Sequence, residues 1–282
     1  MFSYRHAFHA GNHADVLKHI VLLALVRHLH HKDTACWLVD THAGGGWYEL
    51  DGAAARKKGE FATGIGSLQD MDPAGLPEAL ADYLEQVRDF NPSGRLLRYP
   101  GSAALLAETM RPQDRLRLFE LHPAEIEVLR SRLPDSRRIR AERADGFAML
   151  RAILPPPPRR ALVLIDPPYE DKGDYRKVRQ VLRDALERFA TGVYAIWYPR
   201  VRRHESERMA AALQQMVGRD WLHVSLDIDA PPATGPGLYG SGMFVVNPPW
   251  TLPASLSPVL PILVDRLGRT PAAKWALEHR IR

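Results

Sequence analysis

Residues 160–169 read Arg160-Ala161-Leu162-Val163-Leu164-Ile165-Asp166-Pro167-Pro168-Tyr169. The run before the aspartate is short, apolar and bounded by breakers, the pattern of a strand buried on both faces. An acid at the carboxyl end of such a strand lies where open α/β sheets place their ligands. The two prolines hold φ at about −65° and remove two backbone donors, so the turn is stiff and its carbonyls stay free to accept. Tyr169 adds a flat ring one step beyond. An anionic acceptor, rigid carbonyls and a stacking surface together suit an aromatic exocyclic amine. A bare Asp-Pro-Pro triplet is more simply a proline-rich strand exit. The buried strand before it and the tyrosine after it tip the reading toward a site.

Working outward, Thr34-Ala35-Cys36-Trp37-Leu38-Val39-Asp40 reads as a first strand ending in an acid, followed by Thr41-His42-Ala43-Gly44-Gly45-Gly46. Arg115-Leu116-Arg117-Leu118-Phe119-Glu120 alternates polar and apolar and ends in a second acid. Asp145 beside Gly146 supplies a third, and Asp166 comes 21 positions later, a spacing that suits consecutive third and fourth strands. Each motif is weak alone. Four in order, each after a strand-like run, predict an α/β fold.

Asn12, with Asp15 three residues on, resembles a capping box opening a helix to about residue 31, with Val16, Leu17, Ile20, Leu23 and Ala24 on a broad apolar face. The helix leading into the second strand is expected over residues 101–110, with Ser102 as N-cap. Residues 1–46 and 98–282 are then a Rossmann-like body, and 47–97 an inserted helical subdomain whose helix falls at 76–90. Further helices are expected at 171–188 and 205–217, a fifth strand at 191–198, and an antiparallel closing pair at 221–228 and 242–247.

A net charge of +5 and a sequence pI near 9.4 are compatible with a polyanionic partner. Arginines cluster at 137–143, 159–160 and 200–203, although charge runs are usually solvated faces. The longest apolar run, residues 20–26, is far too short to span a bilayer, and the opening residues lack the order of a signal peptide. Cys36 is the single cysteine, which leaves no disulfide and no thiolate metal site. His6, His9 and His13 have a spacing that could suit a metal, but no carboxylate or cysteine completes a ligand set, so no metal is expected. The expectation is a cytoplasmic monomer with no membrane contact.

Residues 166–169 and the D-x-x-x-G-x-G turn at 40–46 resemble those of amino-methyltransferases dependent on S-adenosyl-L-methionine. The opening Ser3-Tyr4-Arg5-His6 and residues 8–19 closely resemble bacterial 23S rRNA (adenine-N6)-methyltransferases of the RlmJ type. So do Tyr99-Pro100-Gly101-Ser102, Glu120-Leu121-His122-Pro123, Ala144-Asp145-Gly146-Phe147 and Asn247-Pro248-Pro249-Trp250, and the likeness weakens only after about Trp250. It implies a Rossmann-like class I methyltransferase with a mixed, mostly parallel sheet, acting on adenine N6 in 23S rRNA. It further implies that His19, His42, Ser102, Glu120, Asp145, Gly146 and Asp166 contact S-adenosyl-L-methionine, with Asp166 catalytic, and that Tyr4, Lys18 and Tyr169 face the RNA. Without the resemblance, His19 reads as a helix-face histidine packed on the core. Asn247-Pro248-Pro249-Trp250 mimics a catalytic motif but lacks a third-strand acid shortly before it, so it is expected to be structural, with Trp250 as an alternative substrate contact. The rival readings are the same chemistry on DNA and a non-catalytic nucleic-acid-binding protein that keeps the fold.

Overall fold

A computed structural model of the chain describes residues 6–52, 55, 57, 59–133, 135–218, 220–235 and 237–281, so Tyr4 lies outside the described residues. Asn12 opens α1 (His13–His30) by accepting from the Ala14 and Asp15 amides at 2.9 and 3.1 Å. Asp15 does not complete the capping box by reaching back to Asn12. Its Oδ2 accepts instead from the Gly11 amide at 2.9 Å, and Oδ1 is left for a cation one turn on. After β1 (Trp37–Asp40) the chain makes β2 (Trp47–Glu49), α2 (Glu78–Asp89) and β3 (Arg98–Pro100). β2 and β3 pair antiparallel with Trp47 opposite Pro100, closing the ends of the 47–97 insertion. The insertion has no separate core: Leu50, Ile65, Leu68, Leu80, Tyr83 and Val87 belong to the same apolar cluster as α1.

α3 (Ser102–Thr109) follows, with Gly101 and not Ser102 at the N-cap. The remaining crossovers run β4 (Arg115–Phe119), α4 (Pro123–Arg132), β5 (Ile139–Glu142), α5 (Gly146–Ile153), β6 (Ala161–Ile165), α6 (Gly173–Arg188) and β7 (Val193–Val201). The single helix expected at 205–217 is two pieces, α7 (His204–Glu207) and α8 (Met209–Val217), broken at Arg208. β8 (Trp221–Asp227) and β9 (Leu238–Val246) form the expected antiparallel pair, with β9 starting earlier than its apolar run suggested. Past Trp250 lie α9 (Leu252–Leu256), α10 (Val259–Leu267) and an edge strand, β10 (Lys274–Arg280), none of which the sequence reading assigned.

The main sheet has the order β10-β8-β9-β7-β6-β1-β4-β5. β5, β4, β1, β6 and β7 are parallel, and β9, β8 and β10 alternate antiparallel beyond them. Side chains alternate between faces: Leu38, Leu162 and Leu164 enter the cluster under α1 to α4, while Val39, Val163 and Ile165 enter the one under α5, α6 and α8. The chain moves from β1 to β4 and β5 on one side, then returns to β6 and β7 on the other. The strand order therefore reverses between β1 and β6, and such a reversal opens a crevice at the carboxyl ends of the strands. No helix among the described residues is long and apolar enough to cross a membrane.

Candidate active site

That crevice holds a cavity of about 1000 Å³, lined among others by His42, Ser102, Glu120, Asp145, Gly146 and Asp166. The acids arrive there because each ends or follows a parallel strand: Asp40 ends β1, Glu120 follows β4, Asp145 caps α5 after β5, and Asp166 follows β6. Gly146 owes its identity to packing, since a Cβ would lie 2.1 Å from the Thr41 carbonyl oxygen.

Asp166 belongs to a chain of charges. Lys18 Nζ donates to Asp166 Oδ2 at 2.7 Å and lies 2.8 Å from Asp15 Oδ1, while Asp15 Oδ2 is 2.8 Å from His6 Nε2. Lys18 is only 4% exposed and Asp15 only 1%. Burial alone would lower the pKa of Lys18, but the two carboxylates overcome it and hold that pKa well above the ordinary value. Burial alone would likewise push Asp15 up, yet the charges of His6 and Lys18 keep it well below the usual carboxylate range. Asp166 Oδ1 takes no hydrogen bond among the described residues, so one oxygen is pinned and the other is open. The ammonium of Lys18 thus already has two carboxylate partners, and it sits 5.9 Å from the centre of the Trp197 ring.

On the other side of the cavity, Asp40 Oδ2 accepts from the Ser102 hydroxyl at 2.6 Å and Oδ1 from the His42 amide at 3.1 Å. Burial raises Asp40 to a pKa of about 6, against those two hydrogen bonds and helped by the nearby charge of Asp166. The Thr41 hydroxyl gives its one proton to the Leu164 carbonyl at 3.0 Å, so the 2.8 Å contact with His42 Nδ1 needs the hydrogen on Nδ1. His42 Nε2 is then the acceptor, and burial lowers the ring to a pKa of about 4, which keeps it neutral. Glu120 accepts from the Gly44 amide through Oε2 at 2.9 Å and from the His122 amide through Oε1 at 2.7 Å, and burial raises its pKa. Asp145 Oδ1 accepts from the Phe147 amide at 2.9 Å. Arg132, near the end of α4, donates to the carbonyls of Gly45 and Trp47 and lies 3.8 Å from the centre of the Trp47 ring, which fixes the glycine turn from behind.

Tyr169 lines the cavity in a left-handed conformation, φ 51°, that is uncommon for a residue with a side chain. Its hydroxyl donates to the Trp197 carbonyl at 2.7 Å, its ring centre is 4.6 Å from that of Tyr175, and Arg203 Nη1 donates to its carbonyl at 3.2 Å. His19 is placed apart from the lining residues: it is fully buried, its Nδ1 is 2.9 Å from the Tyr99 hydroxyl, and its buried Nε2 has no hydrogen-bond partner among the described residues. Asn247 Nδ2 donates to the carbonyls of Ala190 and Gly192 at 2.8 and 2.7 Å, a strap between loops. Because β9 runs antiparallel to β7 with Val246 opposite Tyr194, this motif lies at the end of the sheet away from Asp166. His9 Nδ1 meets Glu60 Oε2 at 2.9 Å while His6 meets Asp15, so the N-terminal histidines take separate partners. Asp15, Arg132 and Trp197 are the site's unforeseen members, and Asp40, read in the sequence as the acid of the glycine turn, is found holding Ser102. Of the unforeseen residues only Asp15 left a local trace, an i,i+3 charge pair with Lys18 in the first turns of α1.

A family model described as "Ribosomal RNA large subunit methyltransferase D, RlmJ" matches residues 33–281. A protein of Haemophilus influenzae named "Ribosomal RNA large subunit methyltransferase J" is 43% identical over 279 residues, covering 99% of this chain and 98% of that relative. One of the same name from Escherichia coli strain K12 is 45% identical over 267 residues, covering 95% of this chain and 94% of the relative. The crystal structure of a protein from Legionella pneumophila superposes with a TM-score of 0.87 at 33% identity, covering 96% of this chain and 98% of that one.

Proposed function

The chain belongs to the RlmJ family of ribosomal RNA large subunit methyltransferases, and on that premise we propose that it transfers a methyl group from S-adenosyl-L-methionine to the N6 amine of an adenine in 23S ribosomal RNA. The observation that carries this reading is the open Oδ1 of Asp166, set beside the paired prolines in the cavity while Oδ2 is pinned by Lys18. When bound, S-adenosyl-L-methionine supplies a methyl group on a positively charged sulfur. The lining residues suit that guest. Glu120 offers two carboxylate oxygens to a pair of ribose hydroxyls, and Asp145 beside Gly146 offers an acceptor to the adenine part. His42 Nε2 and Ser102 at the start of α3 suit the charged amino-acid end, whereas His19 stands behind the lining and is left out of this contact set.

Adenine N6 is a poor nucleophile because its lone pair is delocalised into the ring. Asp166 Oδ1 and the Pro167 carbonyl accept its two N–H groups and draw the nitrogen toward a tetrahedral shape, which frees the lone pair. Asp166 then takes the surplus proton, and a modest base suffices because a methylated aryl ammonium is strongly acidic. Lys18 fixes the rotation of the carboxylate, so its part on the substrate side runs through Asp166. The stiff proline turn contributes chiefly by orientation. The tethered ring of Tyr169 stacks on the base, which must leave its own stack to be reached. Residues 1–46 and 98–282 form the catalytic body and 47–97 an insertion beside the cavity. The reaction belongs to the cytoplasm, where ribosomal RNA is made, and a single copy of the chain suffices for it.

The test is transfer of labelled methyl groups onto stripped 23S rRNA and onto duplex DNA. Label on the RNA alone is expected; equal labelling of the duplex overturns the choice of substrate.

A further inference from the structure

The positive charges outside the cavity differ in what they already hold. At the amino ends of the parallel strands, Arg111 donates to the carbonyls of His30, Lys32 and Thr34, and Arg160 to those of Leu29, Lys32 and Thr34. On the β5 edge, Arg140 lies 3.6 Å from Asp135 and Arg138 donates to the Arg111 carbonyl. These arginines hold the protein's own backbone and acids.

Helix α6 is different. Lys172, at its N-cap, and Arg176, Arg179 and Arg183 are exposed, and none takes a hydrogen bond or ion pair among the described residues. They are four, three and four residues apart, which puts them on one helix face with rises of about 6, 4.5 and 6 Å between successive charges. The buried side of the helix is Tyr175, Val178, Leu182 and Ala185, so the basic face looks outward. The helix also begins at the site, because Asp174, Tyr175 and Lys177 line the cavity. Glu170, Asp171 and Asp174 share that rim with Lys177, so the run of unpartnered positive charge on α6 starts beside the opening and leads away from it.

Resting on the rRNA methyltransferase reading, the geometry points to the outer face of α6 as the track that holds the phosphate backbone of the RNA strand flanking the extruded adenine. Arg176, Arg179 and Arg183 each meet one phosphate, at steps comparable with those along a single strand. The track positions the RNA and reads no bases.

The test compares the wild-type protein with Arg176→Gln/Arg179→Gln/Arg183→Gln and with a control of equal charge loss, Lys32→Gln/Arg137→Gln/Arg280→Gln, whose exposed positions lie at the opposite end of the sheet. Binding of a 23S rRNA fragment that the wild type methylates is measured across a salt series. The helix variant is expected to raise KM for RNA at unchanged kcat and melting temperature, and to flatten the slope of log Kd against log salt by about 2, that is ~0.7 per lost phosphate contact. The control should keep the wild-type slope. Equal flattening in both variants, or none in the helix variant, overturns the track. A wild-type protein that methylates no rRNA overturns the reading beneath it, and the track with it.

Discussion

Replacing Lys18 by methionine removes the ammonium that bridges Asp15 and Asp166 and leaves two carboxylates facing each other, Asp15 buried and Asp166 at the cavity wall. Taking one partner out of a buried ion pair costs ~3–5 kcal/mol, because the remaining charge stays desolvated and unpaired. For a chain of this length each kcal/mol is worth about 2–4 °C, so the melting temperature at pH 7.5 should fall by roughly 10 °C. The loss should also depend on pH with a definite sign. In the wild type, Asp15 has a folded pKa below its unfolded value, so its contribution is complete above about pH 4 and fades only as acid passes the folded value. Without the ammonium, burial of Asp15 is opposed by the charge of His6 alone, so its pKa climbs back from that low value. A carboxyl whose pKa has risen is easier to protonate, so less of the deficit remains in acid than at neutral pH. The deficit of Lys18→Met should therefore be largest at pH 7.5 and shrink toward pH 5, read by thermal melts at both. Lys18→Arg, which keeps the charge, should recover part of it. A variant melting within about 3 °C of wild type at pH 7.5, or one equally impaired at both pH values, would show that the ion pair does not hold the site together.

Asp40→Asn should flatten the pH dependence of stability between about pH 4 and 6. The raised pKa of about 6 means that the wild-type residue favours the fold below its unfolded pKa and loses that contribution as pH rises through 6, about 3 kcal/mol in all; a melting series that keeps its slope contradicts this. Arg132→Met removes the bonds to the Gly45 and Trp47 carbonyls and should raise KM for S-adenosyl-L-methionine several-fold while kcat at saturation holds. A fall in kcat alone would assign Arg132 another role. Gly146→Ala drives a methyl group into the Thr41 carbonyl, so stability should fall by ~1–3 kcal/mol and cofactor affinity with it, checked by melting and by titration calorimetry.

The parts of the site legible in sequence are those that local pattern determines. Asp166, Glu120 and Asp145 each sit at or just past a strand end, and a strand end can be read from a few residues. Pairings between distant segments left no such trace. Lys18 and Asp166 are 148 positions apart, and nothing in either neighbourhood announces that their side chains meet. Ser102 has the chemistry of an N-cap, yet Gly101 caps the helix because the hydroxyl is drawn to Asp40, which only the packing of α3 on β1 brings within 2.6 Å. Residues 274–280 carry no alternating apolar pattern because β10 is an exposed edge, and its partner β8, not its own side chains, makes it a strand. Tyr169 is expected from the sequence as a stacking ring, but the bond from its hydroxyl to the Trp197 carbonyl, 28 positions on, left no trace there.

The most direct test is nucleoside mass spectrometry of 23S rRNA incubated with S-adenosyl-L-methionine and either the wild-type protein or Asp166→Ala, alongside RNA binding by both. The account predicts N6-methyladenosine from the wild type, none from Asp166→Ala, and RNA affinity within a few-fold between them. Methylation at any other atom, or N6-methyladenosine formed at the wild-type rate without the carboxylate, would contradict it.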